Sequence, residues 1–240
     1  MKNQGKRDHD RGFGHLPWFL LLALLGVLGL AVVINVMNAM SIRIAYPLDL
    51  EWMEGAILLH TQRVIDGKSL YTEPSVEHIA FAYTPLYMIV LGGLSAITGL
   101  SLKLGRLLSL FSLLGIFIIM GLSLFRSLNP RRKLLPLLLT CSLTAMAAGL
   151  FLGDFLFTGA WLDIVRNDTL YLFLVFLGLY LLVENGDTLS GSLFSGLFLA
   201  LAFWTKQTAV VFILAAGLYQ LFSSPRMLPW LVLSVATITL

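Results

Sequence analysis

The chain has 240 residues, of which 58% are hydrophobic and only 12% charged, with a formal net charge of +3. A soluble domain carries about 25% charged residues, so an ordinary water-soluble fold is excluded. Apolar runs of about 20 residues are too long for barrel strands, and the small, clustered positive charge reads as a topology signal with no nucleic-acid partner. The class implied is an all-α polytopic membrane protein.

Residues 1–15 form a basic tail with Lys2, Lys6, Arg7 and Arg11, expected in the cytoplasm. The apolar run 16–40 is longer than the roughly 7–15 residues of a signal-peptide core, and no A-x-A site follows it. It reads as an uncleaved first span, with Pro17 tolerated in the first helical turn. Polar sequence follows from 41 to 82. Within it, residues 50–66 have a helical pattern, with Leu50, Met53, Ile57, Thr61 and Val64 near one face and Gly67 as terminator. Residues 68–77 read as loop. Residues 83–102 carry no charge and are long enough to span. They also begin Tyr-Thr-Pro and contain Gly92, Gly93 and Gly99, so a helix lying along or re-entering the interface fits equally.

Arg126, Arg131, Arg132 and Lys133 form the densest basic loop after the tail, which favours the cytoplasm. That is met if 83–102 does not cross. Span two is then 104–125, span three 134–152 and span four 170–182. Residues 193–204 and 208–222 become two short helices, with Lys206 and Gln207 at their outer tip. This layout gathers Asp49, Glu51, Glu54, Asp154, Asp163, Arg166, Asp168 and Lys206 on the outer side. Residues 230–240 read as the middle of a span, so the module 16–240 is expected to be the N-terminal part of a longer chain. The single cysteine, Cys141, forms no internal disulfide and is expected to pack.

Four groups carry possible chemistry, because charge near lipid is costly and is kept there mainly for function. Glu51 and Glu54, three apart, share a face on a helix that Asp49 can cap. Two such carboxylates suit a base and a metal ligand; the bland alternative is a solvated face with Trp52 as an interfacial anchor. Asp163, Arg166 and Asp168 lie in a tightly flanked loop that begins at Trp161, and an Arg–Asp pair closing a helix junction is their bland alternative. Lys206, deep in apolar sequence, must snorkel, pair with an acid or face a polar cavity; its compact charge suits phosphate. Arg106 suits bidentate phosphate binding, or snorkelling. His60 and His78 share the first polar loop with the acids, but with Glu77 or Glu54 they have no metal-ligand spacing. Tyr71, Tyr83 and Tyr87 are placed to stack on a sugar or to form an interfacial belt. His9 and His15 lie in the tail.

In order, the N-terminal span, the acidic loop, Gly67-Lys-Ser-Leu-Tyr71, Tyr83-Thr-Pro-Leu-Tyr87, Gly105-Arg-Leu-Leu-Ser109, the Trp161–Asp168 loop and Leu201-Ala-Phe-Trp-Thr-Lys206 resemble the GT-C membrane glycosyltransferases. That superfamily includes the protein O-mannosyltransferases and lipid A aminoarabinose transferases. The resemblance covers about 16–222. It implies a GT-C-like transmembrane helix bundle with juxtamembrane helices in the first outer loop, 41–103. It also implies a polyprenyl-phosphate sugar donor, a catalytic base in that loop (Asp49 or Glu51, with Glu54 left open), and a lipid-phosphate contact from Arg106. Asp163 or Asp168 would match a second outer acid. The family often has adjacent Asp-Glu, whereas Leu50 separates Asp49 from Glu51 here.

The expected function is therefore glycosyl transfer from a polyprenyl-phosphate donor to an unnamed acceptor at the outer face of a multi-pass membrane protein. The expected membrane is the bacterial inner membrane. The alternatives are a lipid-linked sugar transporter, which the lack of an internal repeat disfavours, and a non-catalytic scaffold. No cofactor is named; a divalent metal stays open.

Overall fold

The computed structural model describes residues 16–76, 78–128 and 134–239. The tail 1–15 with its histidines, Glu77, and Arg131, Arg132 and Lys133 lie outside the described residues. The helices are α1 (Leu16–Ile44), α2 (Met53–Ile65), α3 (Leu86–Thr98), α4 (Leu102–Leu128), α5 (Leu134–Gly153), α6 (Asn167–Asn185), α7 (Leu189–Thr205), α8 (Val210–Ser223) and α9 (Leu228–Thr239). No strand occurs among the described residues.

Among the described residues four helices are long and apolar enough to cross a membrane: α1, α4, α5 and α6. Of these, α6 is the shortest at 19 residues, which is about 28 Å at 1.5 Å per residue, close to the hydrocarbon thickness. The ambiguous segment 83–102 contains only the 13-residue α3, about 20 Å long and too short to cross as a helix. Pro85 precedes it, and Gly99, with φ 79°, ends it in a conformation that only glycine adopts freely.

By contacts the chain divides into two units, Met1–Ala39 with Met120–Thr158 and Met40–Ile119 with Gly159–Leu240. In the first, α1 and α5 meet through small residues. A Cβ on Gly26 would lie 2.7 Å from the Cα of Ser142, and Gly29 rests against Ala145 and Gly149. Close backbone approach of this kind gives helices dispersion contacts where lipid offers no hydrophobic drive.

In the second unit α6 and α9 pack on α7, and α2 packs on α3, which also touches α7. Ile57, Tyr87, Leu91, Val165, Val175 and Ala202 form the heart of its core. The helix α2 ends as its glycine foretold. Gly67 sits at φ 68°, its N–H bonds Val64 O, and the N–H of Lys68 bonds Arg63 O at 2.8 Å. This 6→1 and 5→2 pairing satisfies carbonyls the helix end would otherwise leave open. The stretch α7–α8 is broken at Lys206, whose extended backbone leads into a single 3-10 turn, Gln207–Ala209.

Candidate functional site

Of the charged residues that the sequence layout gathers on the outer side, all but Asp154 fall in the second unit, as does Arg106. Their geometry starts from one face of α4. Gly105 has no side chain because Val165 fills the space: a Cβ would come within 2.6 Å of Val165 Cγ1. One turn on, Ser109 Oγ donates to Ile164 O at 2.6 Å. Between them Arg106, fully buried, donates from Nε to Glu54 Oε1 at 2.9 Å and from Nη2 to Glu54 Oε2 at 2.7 Å. Its remaining N–H groups go to the carbonyls of Arg43, Tyr46 and Leu48. A guanidinium has five donors, and all five are occupied. Glu54 also accepts from the backbone N–H groups of Leu50 at 2.7 Å and Val165 at 2.9 Å. Burial pushes its carboxyl up, but Arg106 and these two amides outweigh burial and hold it below the ordinary carboxylate value.

This geometry corrects two sequence expectations. Glu54 has no free lone pair with which to act as a base, and Arg106 has no free donor for a lipid phosphate. Together they clamp the end of α1, the start of α2 and the segment at Val165.

A second pair was not foreseen at all on its cationic side. Arg43, in the last turn of α1, donates from Nε to Asp163 Oδ2 at 2.7 Å and from Nη2 to Ala160 O at 3.0 Å. Asp163 is fully buried, and its Oδ1 has no partner. Burial raises its carboxyl above the ordinary value in spite of Arg43. Ala160 is held at φ 54°, an uncommon conformation for a residue with a Cβ, and it aims its carbonyl at Arg43.

The third grouping keeps contact with solvent. Arg166 Nε donates to Asp168 Oδ2 at 2.9 Å, and its Nη1 lies 3.6 Å from Glu51 Oε2. Lys206 Nζ donates to Asp168 Oδ1 at 2.5 Å. The side chains of Glu51, Asp168 and Lys206 remain 18%, 16% and 23% exposed. The guanidinium of Arg166 stacks over Trp161 at 4.0 Å, a cation–π contact that fixes its plane. Loop and helix ends are tied around this chain. Asn167 Nδ2 donates to Thr205 O, Thr84 Oγ1 to Phe203 O, and Gln207 Nε2 to Ala82 O. Unlike Arg106, neither cation is saturated: Lys206 and Arg166 each donate one hydrogen bond.

The helix-face expectation for Glu51 and Glu54 also needs correction. Since α2 begins at Met53, Glu51 precedes it and accepts from the Met53 N–H at 3.0 Å. The two acids therefore serve different cations. Asp49 does not cap the helix. It is exposed, makes no hydrogen bond or ion pair with any described residue, and its Oδ2 lies over Gly55, where a Cβ would come within 2.6 Å. Tyr87 is core rather than a stacking platform, and Tyr71 Oη donates to Tyr83 O at 2.7 Å. Among the described residues no group of three acids, histidines or cysteines is arranged to hold a metal ion.

Compared with known protein families, characterised proteins and solved structures, the chain matches none of them.

Proposed function

We propose that the chain transfers a glycosyl unit from a polyprenyl-phosphate donor to an acceptor hydroxyl at the outer face of a membrane, as the resemblance to GT-C enzymes implies. The observation that carries this reading is the solvent-reachable chain Glu51–Arg166–Asp168–Lys206, whose two cations retain free N–H donors. A scaffold would leave such acids dispersed and solvated. The clamp Arg106–Glu54 is structural, so the phosphate roles pass to Lys206 and Arg166. The unpaired Asp49 takes the role of base, with Glu51 the second choice.

The acceptor oxygen attacks the anomeric carbon while its proton passes to the Asp49 carboxylate. The bond from that carbon to the phosphate oxygen breaks, and its electron pair leaves with the lipid phosphate. Lys206 and Arg166 stabilise the charge that develops there. A single displacement inverts the anomeric centre. Lipid surrounds the long helices, N-terminus inside, and the proposed membrane is the bacterial inner membrane.

The test is transfer from a panel of polyprenyl-phosphate-linked sugars by the purified protein. Lys206→Met is expected to lower transfer at least about 10²-fold, the usual cost of losing a charge-stabilising donor. Asp49→Asn should fall by about 10²–10⁴-fold. Full activity in Asp49→Asn, Glu51→Gln and Lys206→Met alike would end the proposal. The layout has its own check in a Cys141→Ser background. An impermeant thiol reagent on intact cells should label a cysteine at Ser75 and not one at Ser127. Labelling of both would split the site across the membrane.

A further inference from the structure

A pocket of about 260 Å³ lies between α2 and the loop that follows it, walled by Trp52, His60, Val76, His78, Ile79 and Phe81. None of these residues belongs to an ion pair in the site. The two histidines differ in what they have left to offer. His60 Nδ1 lies 2.7 Å from Ala56 O, and its Nε2 lies 3.2 Å from the backbone N of Phe81. The Ala56 carbonyl only accepts, so His60 donates to it from Nδ1, and both its nitrogens are engaged. Phe81 stacks on it at 4.5 Å, and Trp52 meets Phe81 edge-on at 6.0 Å.

His78 is different. It is 8% exposed, and its Nε2 lies 2.9 Å from Leu70 O, which places the proton on Nε2. In the neutral ring Nδ1 is then a lone-pair acceptor. No described residue bonds to that nitrogen, and it is not among the sealed, unpaired atoms of the interior. A mostly buried imidazole with one acceptor free, in the wall of an aromatic pocket, is half of a hydrogen bond that water completes in the empty pocket and a ligand hydroxyl can complete in its place. The pocket's walls neighbour the charged chain in sequence at both ends. Trp52 follows Glu51 directly, and Phe81 precedes Ala82, whose carbonyl accepts from Gln207 beside Lys206.

We propose that this pocket binds a hydroxyl-bearing sugar ring, with the apolar face of the ring against Trp52 and Phe81 and one hydroxyl donating to His78 Nδ1. A hydrocarbon chain would satisfy the walls and leave the imidazole acceptor unmet. Trp52 is 70% exposed, so its ring is available without rearrangement. The inference rests on the glycosyl-transfer reading for its biological sense, because either substrate of that reaction brings a sugar. Its test does not require transfer.

The full chain in lipid nanodiscs is examined by saturation-transfer NMR with methyl mannoside, methyl glucoside, methyl galactoside and N-acetylglucosamine, without donor lipid. At least one sugar is expected to draw saturation from the protein. The signal should drop at least fivefold in Trp52→Ala, which alters an exposed side chain and leaves the fold intact. It should drop likewise in His78→Phe, which keeps the ring and removes the acceptor. Lys206→Met should keep the signal, so that a failed transfer assay and a failed pocket are told apart. Absence of contact from every sugar with the wild-type chain, or contact undiminished in Trp52→Ala, overturns the proposal. In a working transfer assay, Trp52→Ala raises KM for whichever substrate, donor or acceptor, seats its sugar there.

Discussion

Arg106→Lys separates a structural clamp from a phosphate ligand. The substitution keeps the positive charge but offers three N–H donors where Arg106 uses five. At least two acceptors among Glu54 and the carbonyls of Arg43, Tyr46 and Leu48 lose their donor at a position with no solvent exposure. Each buried group left unpaired costs about 1–3 kcal/mol, which gives about 4 kcal/mol in all, within the range for breaking a buried ion pair. The assay is unfolding of the purified protein in mixed micelles titrated with SDS, followed by tryptophan fluorescence. A lysine acting on a lipid phosphate would serve nearly as well as a point charge, and stability would then be untouched. An Arg106→Lys protein within about 1 kcal/mol of wild type would therefore refute the clamp.

Because Glu54 titrates below the ordinary carboxylate value of 4.5, its stabilisation is complete above the unfolded-state value and is lost as pH falls through the lower folded value. Wild-type stability should drop on the acid side of 4.5, and Glu54→Gln should flatten that drop in SDS titrations repeated across pH. Asp163 has the opposite sign. Its raised value favours the protonated form, so its contribution is complete below the unfolded-state value and lost as pH rises through the folded one. Asp163→Asn should then cost less at neutral pH than Glu54→Gln by the same titration. Ala160→Gly removes a Cβ from a left-handed residue and should stabilise by about 0.5–1 kcal/mol; an apparent melting temperature below wild type would contradict it. In the other unit, Gly149→Ala places a Cβ against the backbone of Gly29. The expected loss is about 1–3 kcal/mol, read as a lowered melting temperature.

Much of the fold was legible because membrane helices declare themselves by length and apolarity. The four long helices, the end of α2 at Gly67 and the break at Lys206 all follow from local sequence. The segment 83–102 stayed open because its composition suits both a span and a surface helix; Pro85 and Gly99 set its real length. The charged residues were also visible, but their partners were not. Glu54 reaches Arg106 across 52 residues and Val165 across 111, and no periodicity records such distances. Arg43 was passed over because it looks like a flanking charge at the end of an apolar run. Glu51 and Glu54 were wrongly joined because the helix starts two residues after Glu51, so the spacing of three carries no shared face. The signal that could have helped was Gly105 next to Arg106, a small residue beside a charge in a helix that must pack closely.

The pairing of Arg43 with Asp163 also sets an order in time. The two are separated by 120 positions, and a ribosome adding 5–20 residues per second needs on the order of 10 s to make the intervening chain. During that interval α1 already ends in a cation whose acid has not been synthesised. Glu54 and Arg106 are only 52 positions apart, so their ion pair can form first, before the segment carrying Asp163 has left the ribosome; the Val165 N–H joins Glu54 only when that later segment arrives. Biogenesis of this end of the chain thus runs in two steps. An early latch forms within the nascent N-terminal half, and a late one closes only when the segment at 163 arrives to complete it.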